Sequence, residues 1–144
     1  SGYRNVKISY FLVKWVEEGG DGIPFDSSTG FILPSGARRS PDASWVRRER
    51  WEALTAEQRK GFVPLCPDFV VELRSATDSL TKLQEKMLEY LENGARLGWL
   101  IDPQNQRVEI YRSGQTVEVL ENPIELSGED VLPGFVLNLR RIWR

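Results

Sequence analysis

No histidine occurs anywhere in the chain. That absence removes histidine general bases, the serine and cysteine nucleophile systems that depend on them, and any zinc site needing an imidazole. Only one cysteine is present, Cys66, so an intrachain disulfide and a thiolate-rich metal cluster are excluded as well. Such usage fits a reducing cytoplasm, and Cys66, between Leu65 and Pro67, reads as a small core residue. Nor does any apolar run approach the roughly 20 residues needed to cross a bilayer, and no signal-peptide pattern opens the chain; no membrane partner is expected. What remains is ordinary for a globular protein: 40% hydrophobic and 28% charged residues in 144, enough for one domain over residues 1–144 with its own core. Chemistry in such a chain falls to carboxylates, lysine or arginine, hydroxyls and a hard, oxygen-seeking cation.

The net charge of −2 argues against a dedicated DNA-binding module, which is usually basic. The distribution is more permissive. Arg38, Arg39, Arg47, Arg48, Arg50, Arg59 and Lys60 crowd one stretch, interspersed with Asp42, Glu49, Glu52 and Glu57, and Arg140, Arg141 and Arg144 close the chain. Either cluster can neutralise phosphates, or simply face water.

Apolar periodicity sets the order of elements. Ile8, Phe11, Leu12, Trp15 and Val16 recur at helical spacing, predicting an amphipathic helix over 3–18 that Gly19-Gly20 stops. Phe25 to Leu33 reads as two short strands or one bent one, Pro34-Ser35-Gly36 as a turn, and Asp42 to Val46 as a strand. Residues 47–60 suit one or two short helices. Asp68 to Leu73 is a nearly unbroken apolar run, the pattern of a strand buried on both faces. Over 79–93, Leu80, Leu83, Met87 and Leu91 draw one stripe with Tyr90 at its edge, and Asn93-Gly94 ends the helix. Leu97 to Ile101 is a further strand, 108–111 and 116–120 form a β-hairpin about Ser113-Gly114, and the tail 132–137 is an apolar segment of undefined type. The sum is one α/β domain with a mixed sheet. Opening directly on a helix leads us to expect a further segment upstream.

One acid stands out. Glu72 is the only charge inside Phe69–Leu73, and an ionised carboxylate in an apolar setting costs several kcal/mol unless it is paired or binds a metal. It lies near the carboxyl end of its strand, where open α/β sheets bind ligands; a structural salt bridge, to Arg74 or another arginine, is the alternative. Asp42, after Pro41, is either a strand-entry aspartate or a second strand-borne acid, 30 residues upstream of Glu72. On the following helix Lys86 falls on the flank of the stripe, from where its stem can carry the ammonium towards the strand ends. Gln84 projects nearer the middle, where an amide points either into a site or to a partner in the core.

Taken in order, Ser40-Pro41-Asp42, then Val70-Val71-Glu72-Leu73-Arg74-Ser75, a helix with Lys86 and Tyr90, then Gly98-Trp99-Leu100-Ile101-Asp102-Pro103 resemble the Uma family of endonucleases. That family lies within the PD-(D/E)XK restriction-endonuclease-like superfamily, and the likeness runs from the first helix to Leu132-Pro133-Gly134-Phe135. It implies a restriction-endonuclease-like mixed β-sheet flanked by helices, with a C-terminal β-hairpin. It also implies Asp42 and Glu72 as Mg2+ or Mn2+ ligands, with the Leu73 carbonyl completing the coordination, and a nucleic-acid substrate, DNA first. A homodimer is a further expectation from the superfamily. The superfamily's strand lysine would fall at Arg74, which stays protonated and cannot act as a base; the resemblance offers Lys86 instead. On this reading Asp42 and Glu72 hold the cation while Lys86, with Gln84 beside it, balances charge during phosphodiester hydrolysis. Two rivals stand: a catalytically silent binding module on the same fold, and a structural domain built on Trp15, Trp45, Trp51, Trp99 and Trp143.

Overall fold

A six-stranded mixed sheet forms the centre of the molecule, with strand order β1-β4-β5-β6-β7-β8. These strands are Ile23–Asp26 (β1), Ala43–Val46 (β4), Phe69–Leu73 (β5), Leu97–Asp102 (β6), Arg107–Arg112 (β7) and Glu118–Glu121 (β8). Only β5 and β6 run parallel, and helix α3 (Leu80–Glu92) makes the crossover between them. Helix α1 (Gly2–Glu17) lies on the opposite face. Two small antiparallel pairs, β2–β3 (Phe31–Ile32 with Arg38–Arg39) and β9–β10 (Glu125–Ser127 with Val136–Asn138), flank the sheet. Short helices α2 (Arg48–Glu52) and α4 (Arg140–Trp143) complete the chain. The structure is a computed structural model and describes residues 2–144. No helix among them is long and apolar enough to cross a membrane.

Strand β5 explains the architecture. Its side chains alternate between the two faces, and all five residues are buried. Phe69, Val71 and Leu73 join Ile8 and Leu12 of α1, with Trp99, Phe135 and Leu137, in one core layer. Val70 packs the other way with Leu83, Met87 and Tyr90 of α3, Leu100 and Tyr111. Glu72 shares that second face. Gly98 lets α3 settle there, since a Cβ at this position would come 2.7 Å from the Met87 Cε and 3.2 Å from Val70. Ser79 caps α3 by accepting the Lys82 N–H at 3.3 Å, and Gly94, at φ 113°, turns the chain out of it.

Most expected elements are present, including the β7–β8 hairpin. The differences have local causes. Tyr90 sits in the middle of the buried stripe, not at its edge, because its hydroxyl has a partner beneath α3; Leu80 and Leu91 are the stripe residues left partly exposed. The charged Arg38-Arg39 pair forms β3, for which no apolar alternation prepares. The tail over 132–137 is turn leading into β10, with α4 beyond it, and the partner β9 lies in a three-residue stretch too short to show a period. Between α2 and β5 the chain runs mostly through turns, with only α2 of the one or two helices expected.

Candidate active site

Register brings the two acids together. Ala43 of β4 lies opposite Val71 of β5, so Asp42, just before β4, is level with Glu72 at the carboxyl end of β5. The Asp42 carboxylate is held from two sides: Oδ2 accepts the Leu73 N–H at 2.7 Å and Oδ1 accepts the Asn5 amide at 3.3 Å. In an extended strand a residue's N–H and C=O face the same edge. The Leu73 carbonyl therefore also faces the Asp42 side, beyond the last β4–β5 pair.

Glu72 is nearly enclosed, its side chain only 5% exposed. Burial pushes its carboxyl up to about 7; the Lys86 ammonium opposes this, while the neighbouring Asp42 charge and a hydrogen bond with Asp42 add to it. The two carboxyl groups are thus close enough for each to feel the other's charge. Tyr90 donates its hydroxyl to Glu72 Oε2 at 2.8 Å, and the Lys86 Nζ lies 3.8 Å from the same oxygen with about a third of its side chain exposed. One turn of α3 thereby carries both contacts to Glu72, at i and i+4. Burial, then the charge and hydrogen bond of Glu72, drive the Tyr90 phenol far above its usual range, so it acts as a neutral donor.

Asp42, Glu72, the Leu73 backbone and Lys86 therefore converge, whereas Gln84 faces elsewhere. Its amide donates to Glu109 Oε1 and Oε2 at 3.2 and 2.9 Å. Glu109 pairs with Leu100 across β6–β7, and Leu100 pairs with Glu72 across β5–β6, so the two buried acids stand two strands apart on one face. Glu109 also accepts the Tyr111 hydroxyl at 2.7 Å and lies 3.6 Å from Arg107. Arg74, where a strand lysine was expected, reaches across the parallel pair to Asp102 at 3.0 Å. Burial opposes ionisation of Asp102, but hydrogen bonds from Asn105 and Arg74 outweigh it and hold the carboxyl below its usual range. The cation beside Glu72 is thus Lys86, not an arginine.

Three contributors were given no site role by the sequence reading. Asn5 left one trace: it shares the inner face of α1 with Ile8 and Leu12, an amide in an apolar stripe. Tyr90 stood four residues after Lys86. Asp102 ended the apolar run of β6. Asn5 brings a further oxygen, since its Oδ1 is buried without a hydrogen-bond partner beside Asp42. Among the described residues no cluster of three or more His, Cys, Asp or Glu side chains is placed to hold a metal; the donor set here is two carboxylates with neutral oxygens. A cleft of about 480 Å³ lined by Trp15, Trp45, Arg47 and Arg96 opens at the other end of the strands and includes neither acid. The acid pair meets solvent through the partly exposed Asn5, Asp42 and Lys86.

A family model described as Uma2, putative restriction endonuclease, matches residues 1–140. The chain belongs to the Uma2 family. A crystal structure of a putative nuclease belonging to DUF820, from Anabaena variabilis ATCC 29413, superimposes with a TM-score of 0.84 at 22% identity, covering 97% of this chain and 78% of that one. The Uma2 chain thus has the fold of that protein. No curated protein matches it.

Proposed function

We propose that this Uma2 protein is a metal-dependent endonuclease that hydrolyses phosphodiester bonds in nucleic acid, with Asp42 and Glu72 holding Mg2+ or Mn2+. The observation that carries the proposal is the pairing of two carboxyl groups, one nearly enclosed, at the ends of adjacent strands. Two such groups repel when ionised, and a divalent cation between them removes that cost. The chemistry of the donors fits a hard ion: two carboxylates, the Leu73 carbonyl and the unpartnered Asn5 Oδ1 are all oxygens, and Mg2+ accepts one or two carboxylates with water filling the rest.

Bound there, the ion would polarise the phosphate and lower the pKa of a coordinated water. The chain's own residues do the rest. Tyr90 fixes Glu72 by its hydrogen bond, and the Leu73 N–H and Asn5 fix Asp42, so neither carboxylate has to reorganise. Lys86 is partly exposed beside Glu72 and can offer its ammonium to the phosphate oxygens as negative charge builds on them. Arg74, tied to Asp102, orients the end of the strand and takes no proton.

The test is cleavage of supercoiled, linear and single-stranded DNA, and of RNA, with and without Mg2+ or Mn2+. Asp42→Asn and Glu72→Gln should each lower cleavage by about 100-fold or more, and Lys86→Ala should act through turnover. Full metal-dependent activity in either acid variant would discard the assignment. Arg74 in place of the strand lysine favours a second reading, a silent nucleic-acid-binding or protein-interaction module; wild-type protein that shows neither metal binding nor cleavage would establish it.

A further inference from the structure

Cations are distributed unevenly over this molecule. In the 38–60 region most are answered locally: Arg39 by Glu89, Arg48 by Asp21, Arg50 by Asp68, Arg47 by Glu49 and Lys60 by Glu57. Where α1 meets α4 the sequence supplies cations without neighbouring acids. Residues 2–16 carry Arg4, Lys7 and Lys14 with no acid, and residues 139–144 carry Arg140, Arg141 and Arg144 with no acid. Among the described residues the side chains of Lys14, Arg140, Arg141 and Arg144 form no ion pair. α4 is fastened there by α1, since Tyr3, Arg4 and Lys7 donate to the carbonyls of Arg144, Ile142 and Arg141 at 2.7, 2.8 and 2.9 Å. Between the helices lies a groove of about 420 Å³ lined by Val6, Lys7, Tyr10, Phe11, Arg141 and Arg144. Tyr3 and Tyr10 stand more than half exposed on the same helix.

The groove lies along the same half of α1 as Asn5, whose amide touches Asp42, and on the far side of the helix from it. We infer that it is the track along which a nucleic-acid strand runs after passing round α1 from the acid pair, its phosphates held by Lys7, Arg141 and Arg144 and its bases meeting the exposed Tyr10 ring. This inference rests on the nuclease reading for its substrate class, and charge complementarity selects the occupant. A cation-lined groove without acids attracts a polyanion, and exposed aromatic rings beside cations suit stacked bases. A second copy of this chain is disfavoured, because two-fold pairing through α1 would set Lys7 and Lys14 against their own counterparts.

The experiment is fluorescence anisotropy of short labelled single-stranded and duplex DNA in EDTA over a range of salt, so that binding is read without cleavage. Arg141→Gln/Arg144→Gln removes two phosphate contacts and, among the described residues, no side-chain hydrogen bond or ion pair of the fold. The slope of log affinity against log salt should flatten by about 1.4 to 1.8, with affinity falling in step, and Lys7→Gln should add a further loss. Lys60→Gln, in the compensated region, should bind as wild type. An unchanged slope in the double variant overturns the inference. So does binding to phosphatidylserine vesicles in place of DNA, or a dimer that Val6→Asp dissolves and that excludes DNA. The two readings fail separately: DNA bound through these arginines but never cut leaves the track standing without the nuclease, whereas cutting that the double variant leaves unaltered, with unaltered binding, does the reverse.

Discussion

Below pH 7 the Glu72 carboxyl keeps its proton, because its loss of hydration outweighs the attraction of Lys86. Its ordinary value is 4.5, so between about 4.5 and 7 the folded protein binds more protons than the unfolded one. Stability must therefore fall as pH rises through that window and level off above it, by up to about 3 kcal/mol if the whole shift is expressed. Urea denaturation from pH 4.5 to 8 in EDTA should show this decline, and Glu72→Gln, neutral throughout, should flatten it. Added Mg2+ should restore stability above pH 7, where the site is ionised, and do so least at pH 5. Tyr90→Phe removes the donor that favours ionised Glu72, so the window should extend to higher pH and metal affinity should drop by about 10 to 100-fold; calorimetric titration with Mn2+ checks it. Glu72 was conspicuous in the sequence because a lone acid inside a double-buried strand has few bland explanations. Asn5 was not, because nothing in a helix of that composition announces which distant loop its amide will meet.

Helix α3 serves two acids at once. Its Lys86 and Tyr90 attend to Glu72, while Gln84 attends to Glu109, two strands away. Gln84→Leu should leave the buried Glu109 carboxylate short of a donor and cost about 1 to 3 kcal/mol of stability. The same substitution should leave metal-dependent cleavage close to wild type, a contrast that thermal melts and nicking assays together would reveal. Substituting Met87, fully buried beneath Gly98, by Ala should cost about 2 to 5 kcal/mol with no selective effect on the metal. Elements of this kind were legible in the sequence because the 3.6-residue stripe of α3 and the continuous apolar runs of β5 and β6 are strong signals. β3 and β9, two and three residues long, carry no period to read, and their strand character comes only from the partner each finds in the folded chain. The placement of Gln84 eluded sequence reasoning for a related cause: its target is fixed by the β6–β7 register, which periodicity does not specify.

Across the whole molecule, protection is expected to follow burial. Backbone amides of β5 and β6, buried on both faces at the centre of the sheet, should exchange with solvent most slowly, while the exposed edge strand β8 should exchange early. Hydrogen-exchange mass spectrometry with and without Mn2+ would add a functional layer: the ion should slow exchange at the Leu73 end of β5 and in the first turn of α1, and leave β7–β8 unaffected. The contact between Asn5 and Asp42 spans 37 residues, and that from Leu73 to Asp42 spans 31. The oxygens proposed to hold the ion accordingly come from segments made at different times during synthesis, and the helix that clamps Glu72 is made after all of them. On the proposed function, a ribosome-bound chain that ends before α3 has its acids but no clamp, so the growing polypeptide stays disarmed towards the nucleic acids around it until Glu92, the end of α3, has emerged and folded.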